Sequence, residues 1–162
     1  MCDPLKIGQA RPGRTRAQRR AAAEIMGIDD VYLSRMIHFF VARVRADKRL
    51  QRFYAVEDPH HRAQQVARMT AFWRNVAFDT GDYADDLFEK HRHLPDVHRE
   101  DFERWLELFR ATLEETAPTT EAARYLMVRT ERVARNLELA MFGEPSDAAQ
   151  KSSRHQCRSG QS

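Results

Sequence analysis

GDYADDLFEKHRHLPDVHREDFERWLELF, residues 81–109, is the stretch that decides how this chain folds. Its second half carries the strongest period in the protein. Phe102, Trp105, Leu106 and Phe109, continued by Leu113, recur at helical spacing, while Glu103, Arg104, Glu107 and Arg110 fall on the opposite side. A stripe of that kind belongs to an amphipathic helix with one face in a core, predicted here over about Glu100–Thr116 and closed by Pro118. The first half is polar. Residues 84–91 have room for two helical turns before Pro95 intervenes, and His91 stands near their end. A single histidine ahead of an aromatic-faced helix has two readings: a ligand aimed into a pocket, or an ordinary loop beside a core helix.

The neighbouring segments also read as helices. Asp58-Pro59 opens a helix, Asp as cap and Pro in the first turn, where its missing N–H costs nothing. Val66, Met69, Phe72, Trp73 and Val76 make its apolar face, and Gly81 is expected to end it. Gln65 shares that face, so its amide either finds a partner or sits at a wet rim. Before it, Arg49–Tyr54 reads as a turn whose Phe53 and Tyr54 plug a loop. A helix capped by Asp29 or Asp30 and running to about Asp47 presents Leu33, Met36, Ile37, Phe40, Val41 and Val44 as one stripe. A short helix is expected over residues 21–28, ending near Gly27. The last helix, Glu121 to about Met141, aligns Ala123, Leu126, Thr130, Val133, Leu137 and Met141 before Gly143-Glu144-Pro145 stops it. No strand pattern and no internal repeat occur, so the expected class is all-α.

The 162 residues, 42% apolar and 31% charged, suit one globular domain. Residues 21–142 are its expected extent, between a basic arm over 1–20 and a Ser/Gln/Arg-rich tail over 143–162, both read as disordered. The net charge of +3 hides an asymmetry: the arm carries +5 and the tail +1, leaving −3 for the folded part. That balance argues against a nucleic-acid partner for the core, and the arm reads as a solvated tail. No apolar run approaches the roughly 18 residues of a membrane span. The first residues lack the apolar core of a secretory signal, so the expected location is the cytoplasm. Cys2 and Cys157 stand in opposite tails and form neither a C-x-x-C nor a C-x-x-C-H motif.

The chemistry must therefore come from other residues. Of seven histidines, His60-His61 and His91-Arg92-His93 invite a metal reading, but no Glu-x-x-His pair repeats on two helices. No nucleophile elbow and no Gly-rich phosphate loop is present. A haem needs one imidazole, a slot walled by large apolar side chains, and basic residues at its rim. This chain has each of these on a different segment. The other reading is a haemless helical interaction module that binds nucleic acid or an acidic partner through residues 1–20, with strongly salt-dependent affinity.

FVARVRADKRL at 40–50 and MTAFW at 69–73 resemble segments of the third group of truncated haemoglobins. GDY at 81–83, KH at 90–91, LP at 94–95 and FERWLELF at 102–109 match that family in order and spacing. The absence of Gly-Gly pairs suits the same group, and the likeness covers residues 29–141. It implies a truncated globin-like helical sandwich around non-covalent haem b, binding a diatomic gas: oxygen, nitric oxide or carbon monoxide. His91 matches the proximal iron ligand and Trp105 the distal tryptophan, whose indole N–H can donate toward a bound ligand. Tyr54, with Phe53 as the alternative, matches the aromatic wedged against the porphyrin. Met69 matches the apolar residue over the distal face and Arg68 a basic position at a propionate. Lys90 and Trp73 fall within the matching motifs and belong to the expected pocket.

Two positions depart from the pattern. Where the family commonly has Phe-Tyr, this chain has Phe40-Val41, and the distal histidine position holds Gln65. Valine cannot donate a hydrogen bond and glutamine can, so Gln65 and Trp105 alone are expected to hold the ligand. Nitric oxide or peroxide turnover would need an external reductase.

Overall fold

The computed structural model describes residues 13–55, 58–79 and 94–143, and among these every regular element is helical. The helices are α1 (Arg16–Ile25), α2 (Asp30–Ala46), α3 (Pro59–Phe78), α4 (Arg99–Thr116) and α5 (Thr120–Phe142), with a short 3-10 turn at Gln51–Phe53 between α2 and α3. This is an all-α fold, as a globin-like chain requires. No helix among the described residues is long and apolar enough to cross a membrane.

Helix α1 begins at Arg16, five residues before the expected start and inside the segment read as an arm. The cause is a capping box. The Thr15 hydroxyl accepts the Gln18 N–H at 3.3 Å and the Gln18 side chain accepts the Thr15 N–H at 2.8 Å. At the other end, Gly27 N donates to Glu24 and Ile28 N to Ala23, the paired bonds of a Schellman motif, with Gly27 at φ +88°.

The six predicted stripe residues of α2 are all buried. Asp29 caps this helix, its carboxylate accepting Tyr32 N–H at 2.7 Å. Asp58 caps α3, with Pro59 as its first residue. That helix stops at Phe78 rather than at Gly81, because Asp79 takes a left-handed conformation, φ 54°, that a short polar side chain tolerates. Gly81 and residues 84–91 lie outside the described residues.

Helix α4 follows the predicted stripe through Phe102, Phe109 and Leu113, but Leu108 is buried where Leu106 is only half-buried. On α5 the buried residues are Ala122, Leu126, Thr130, Ala134 and Leu137, so the stripe is turned slightly toward Ala122 and Ala134 from the expected Ala123 and Val133. Both shifts follow from where α4 and α5 touch. They pack on each other, α2 packs on α3 and α4, and α1 packs on α3. Two helix pairs thus meet through α2 and α4. Phe40 sits at the junction, its ring edge-on to Trp105 at 5.2 Å and to Phe109 at 5.0 Å. Its full burial contributes about 1.5–3 kcal/mol.

Candidate functional site

The turn after α2 is fastened before it can line anything. One oxygen of Asp47 accepts the N–H groups of Arg49 and Leu50 at 3.0 and 3.1 Å, and the other accepts from Arg104 on α4 at 2.8 Å. Asp101, near the start of α4 and only 4% exposed, takes Arg49 at 2.7 Å, Arg52 at 3.0 Å and the His98 N–H at 2.8 Å. Burial works to raise both carboxyls, yet these donors outweigh it and hold both below the usual carboxylate range. The two carboxylates thereby clamp Leu50–Tyr54 against α4.

Beside that clamp lies an apolar cavity of about 310 Å³, within the span of small-ligand and cofactor pockets. The turn supplies Leu50, Phe53 and Tyr54. From α3 come Gln65, Arg68, Met69, Phe72 and Trp73, and from α4 Asp101, Phe102 and Trp105. Helix α5 closes it with Val133, Ala134 and Leu137, and Leu94 and Val97, ahead of α4, complete the rim. Within the lining Trp105 lies nearly parallel to Trp73 at 6.0 Å, and behind it Trp105 stacks on Phe109 at 5.2 Å.

Seven of the predicted site residues meet at this cavity: Phe53, Tyr54, Gln65, Arg68, Met69, Trp73 and Trp105. Phe40 and Val41 are not in its lining. They are at most 1% exposed and belong to the core, Phe40 standing behind Trp105, because their face of α2 is covered by the helices it packs on. Lys90 and His91 lie outside the described residues. Leu94, three residues after His91, is on the cavity rim. Sequence reasoning missed Phe102 and Phe72 as lining, although both sit on predicted apolar faces, and Asp101, whose inward turn is set by arginines fifty residues away.

Besides Asp101, three polar side chains in the lining are specifically held: Trp105, Tyr54 and Gln65. The Trp105 indole N–H donates to the Tyr54 hydroxyl at 3.1 Å, so the donor expected to face a ligand already has an acceptor. Tyr54 keeps its own O–H proton to give. Burial pushes its phenol up, the indole bond acting weakly against that. Gln65 is half-buried and has the partner an inward amide needs: Arg45 donates to its oxygen at 2.9 Å.

The remaining described histidines are peripheral. His38, His60, His61 and His98 are exposed. His61 pairs with Asp58 at 2.6 Å, and His60 contacts Gln64 at 3.0 Å. Among the described residues no cluster of His, Cys, Asp and Glu could hold a metal ion unaided.

No family profile matches the chain, and no solved structure matches it. The chain is similar to the group 3 truncated hemoglobin ctb of Campylobacter jejuni subsp. jejuni, with 29% identity over 90 residues, 53% of this chain and 70% of that protein. That likeness, joined to an all-helical fold, supports a globin-type protein.

Proposed function

We propose that the chain is a truncated globin of the third group, cytoplasmic, that holds haem b non-covalently and binds a diatomic gas. The observation that carries this is the cavity: large apolar and aromatic walls, with few polar side chains, drawn from the turn, three helices and the rim before α4. Walls of this chemistry suit the apolar faces of a porphyrin. Phe53, Met69, Phe72 and Phe102 would take its faces and edges, and the exposed Arg68, with Lys90, would take the propionates. His91 would be the axial ligand. When bound, the haem supplies an iron that coordinates the gas.

The protein's own part is to exclude water and to choose the polar groups near that ligand. Val41 is buried in the core and cannot donate. Tyr54, anchored by Trp105, and Gln65, anchored by Arg45, are the donors left. A hydrogen bond to a polarised ligand is worth roughly 1.5–3 kcal/mol, or about one to two powers of ten in dissociation rate. We expect Gln65→Leu to speed oxygen release by about that factor. An unchanged rate would remove Gln65 from the site. Turnover of nitric oxide or peroxide would draw electrons from a separate reductase.

Titration with haemin tests the pocket directly. Trp73 and Trp105 border the cavity, so their fluorescence should be quenched to an end point at one haemin per chain. Met69→Asp, which puts a charge against the porphyrin face, should weaken the uptake. Quenching without a stoichiometric end point, or unaffected by Met69→Asp, would contradict the reading.

A further inference from the structure

We infer that Arg45 is a positioning residue for Gln65, pinning the amide oxygen so that the amide NH2 is the edge presented to the cavity. The use of that edge rests on the globin reading; its orientation does not.

Arg45 Nη2, on α2, lies 2.9 Å from Gln65 Oε1, on α3. A guanidinium has five N–H donors and no acceptor, so only the oxygen edge of the amide can face it. The usual ambiguity between amide oxygen and nitrogen is thereby settled by the partner. Gln65 also lines the cavity, and among the described residues its nitrogen has no partner. The fixed oxygen therefore leaves two N–H donors for whatever the cavity holds.

Arg45 is held there at a cost. Its Nε is buried without a hydrogen-bond partner, and among the described residues it meets no carboxylate. Burial lowers its pKa, and the neighbouring charge of Arg62 lowers it further. The hydrogen bond to Gln65 is what Arg45 gives in return. Arg45 lines a separate groove between α2 and α3, so it reaches the amide from outside the cavity and does not touch what lies within it.

Freed from Arg45, the amide has two orientations, only one of which points its nitrogen inward. If they are similarly populated, the donor is present about half the time, a change of about two-fold in donor occupancy. The test compares Arg45→Met, Arg45→Gln and Arg45→Lys with the unsubstituted chain and with Gln65→Leu. Glutamine at 45 can face the amide with either edge, so it lifts the constraint while keeping a polar partner should Arg45→Met fail to fold. Lysine, like arginine, only donates.

On haemin-loaded protein, the infrared stretching band of added carbon monoxide should be single in the unsubstituted chain and moved to higher frequency in Gln65→Leu. Arg45→Met and Arg45→Gln should each give two bands, near those two positions, and Arg45→Lys should restore one. On haem-free protein, the 15N side-chain amide signal of Gln65, assigned by its loss in Gln65→Leu, should shift in Arg45→Met and Arg45→Gln and return in Arg45→Lys. A band pattern and an amide signal indifferent to all three substitutions would overturn the inference. So would changes of equal size in Arg45→Lys and Arg45→Met. A chain that takes up no haemin defeats the proposed function alone, and the amide signal still decides the orientation of Gln65.

Discussion

The hydroxyl of Tyr54 is the acceptor for Trp105, and burial keeps its proton on beyond the ordinary tyrosine range. A group whose folded pKa is raised adds stability that is fully present below its unfolded pKa, about 10, and is lost as pH rises through the folded value. Tyr32 and Tyr125 are raised by burial in the same way, so the chain should lose stability above about pH 10. Tyr54→Phe leaves the indole N–H without its acceptor and should cost about 1 kcal/mol at neutral pH. It should also remove part of the alkaline loss. Urea midpoints measured at pH 7 and above pH 10 check both. At this scale the sequence discloses which residues are inward but not what they bond to. Gln65 visibly needs a partner, yet Arg45 stands twenty residues earlier, and only the crossing of α2 and α3 brings them together. The acceptor of the Trp105 N–H is hidden in the same way: it comes from a turn fifty-one residues earlier.

Among the elements, the turn after α2 depends most on distant charges. Asp101 is nearly fully buried, whereas Arg49 and Arg52 are 46% and 49% exposed, which screens the ion pairs and limits their worth. Asp101→Asn should cost roughly 1–3 kcal/mol, chiefly through the weakened bonds of a buried acceptor. Asp101 and Asp47 have depressed pKa values, so their contribution is present above the ordinary value near 3.9 and is lost as pH falls through the folded values. The acid limb of the stability profile should therefore be shallower in Asp101→Asn, as read by urea unfolding between pH 5 and pH 2. The end of α1 offers a second case. A Cβ on Gly27 would meet Cγ of Pro118 at 2.7 Å, in a backbone conformation L-residues rarely adopt. Gly27→Ala should destabilise by at least about 1 kcal/mol, seen as a lower Tm. Helix signals of this local kind were legible: Gly27, Asp29, Asp58-Pro59 and Gly143 mark ends that the structure places within a few residues of expectation. The start of α1 is less legible, because its Thr15–Gln18 capping box sits inside an arginine-rich run with few large apolar residues.

Across the whole molecule, helical periodicity fixes the class and the inward faces, since burial of one stripe per helix needs no long-range information. The cavity is another matter. Its walls come from the turn, three helices and the segment before α4, and their meeting depends on α4 crossing both α2 and α5. Phe40 and Val41 show the difference: periodicity marks both as inward, but not that neither is in the lining of the cavity. Periodicity alone gives no reason for an aromatic-walled space at this junction.

Haem held in this space through His91 is what the proposed function requires. Its most direct test is the absorption spectrum of the purified chain with haemin: oxidised, reduced and under carbon monoxide, beside His91→Ala and the peripheral control His98→Ala. With haem on His91, the Soret band should sharpen and shift under carbon monoxide, be weakened or abolished in His91→Ala, and stay unchanged in His98→Ala. A chain that takes up no haemin, or whose spectra are the same with and without His91, would contradict it.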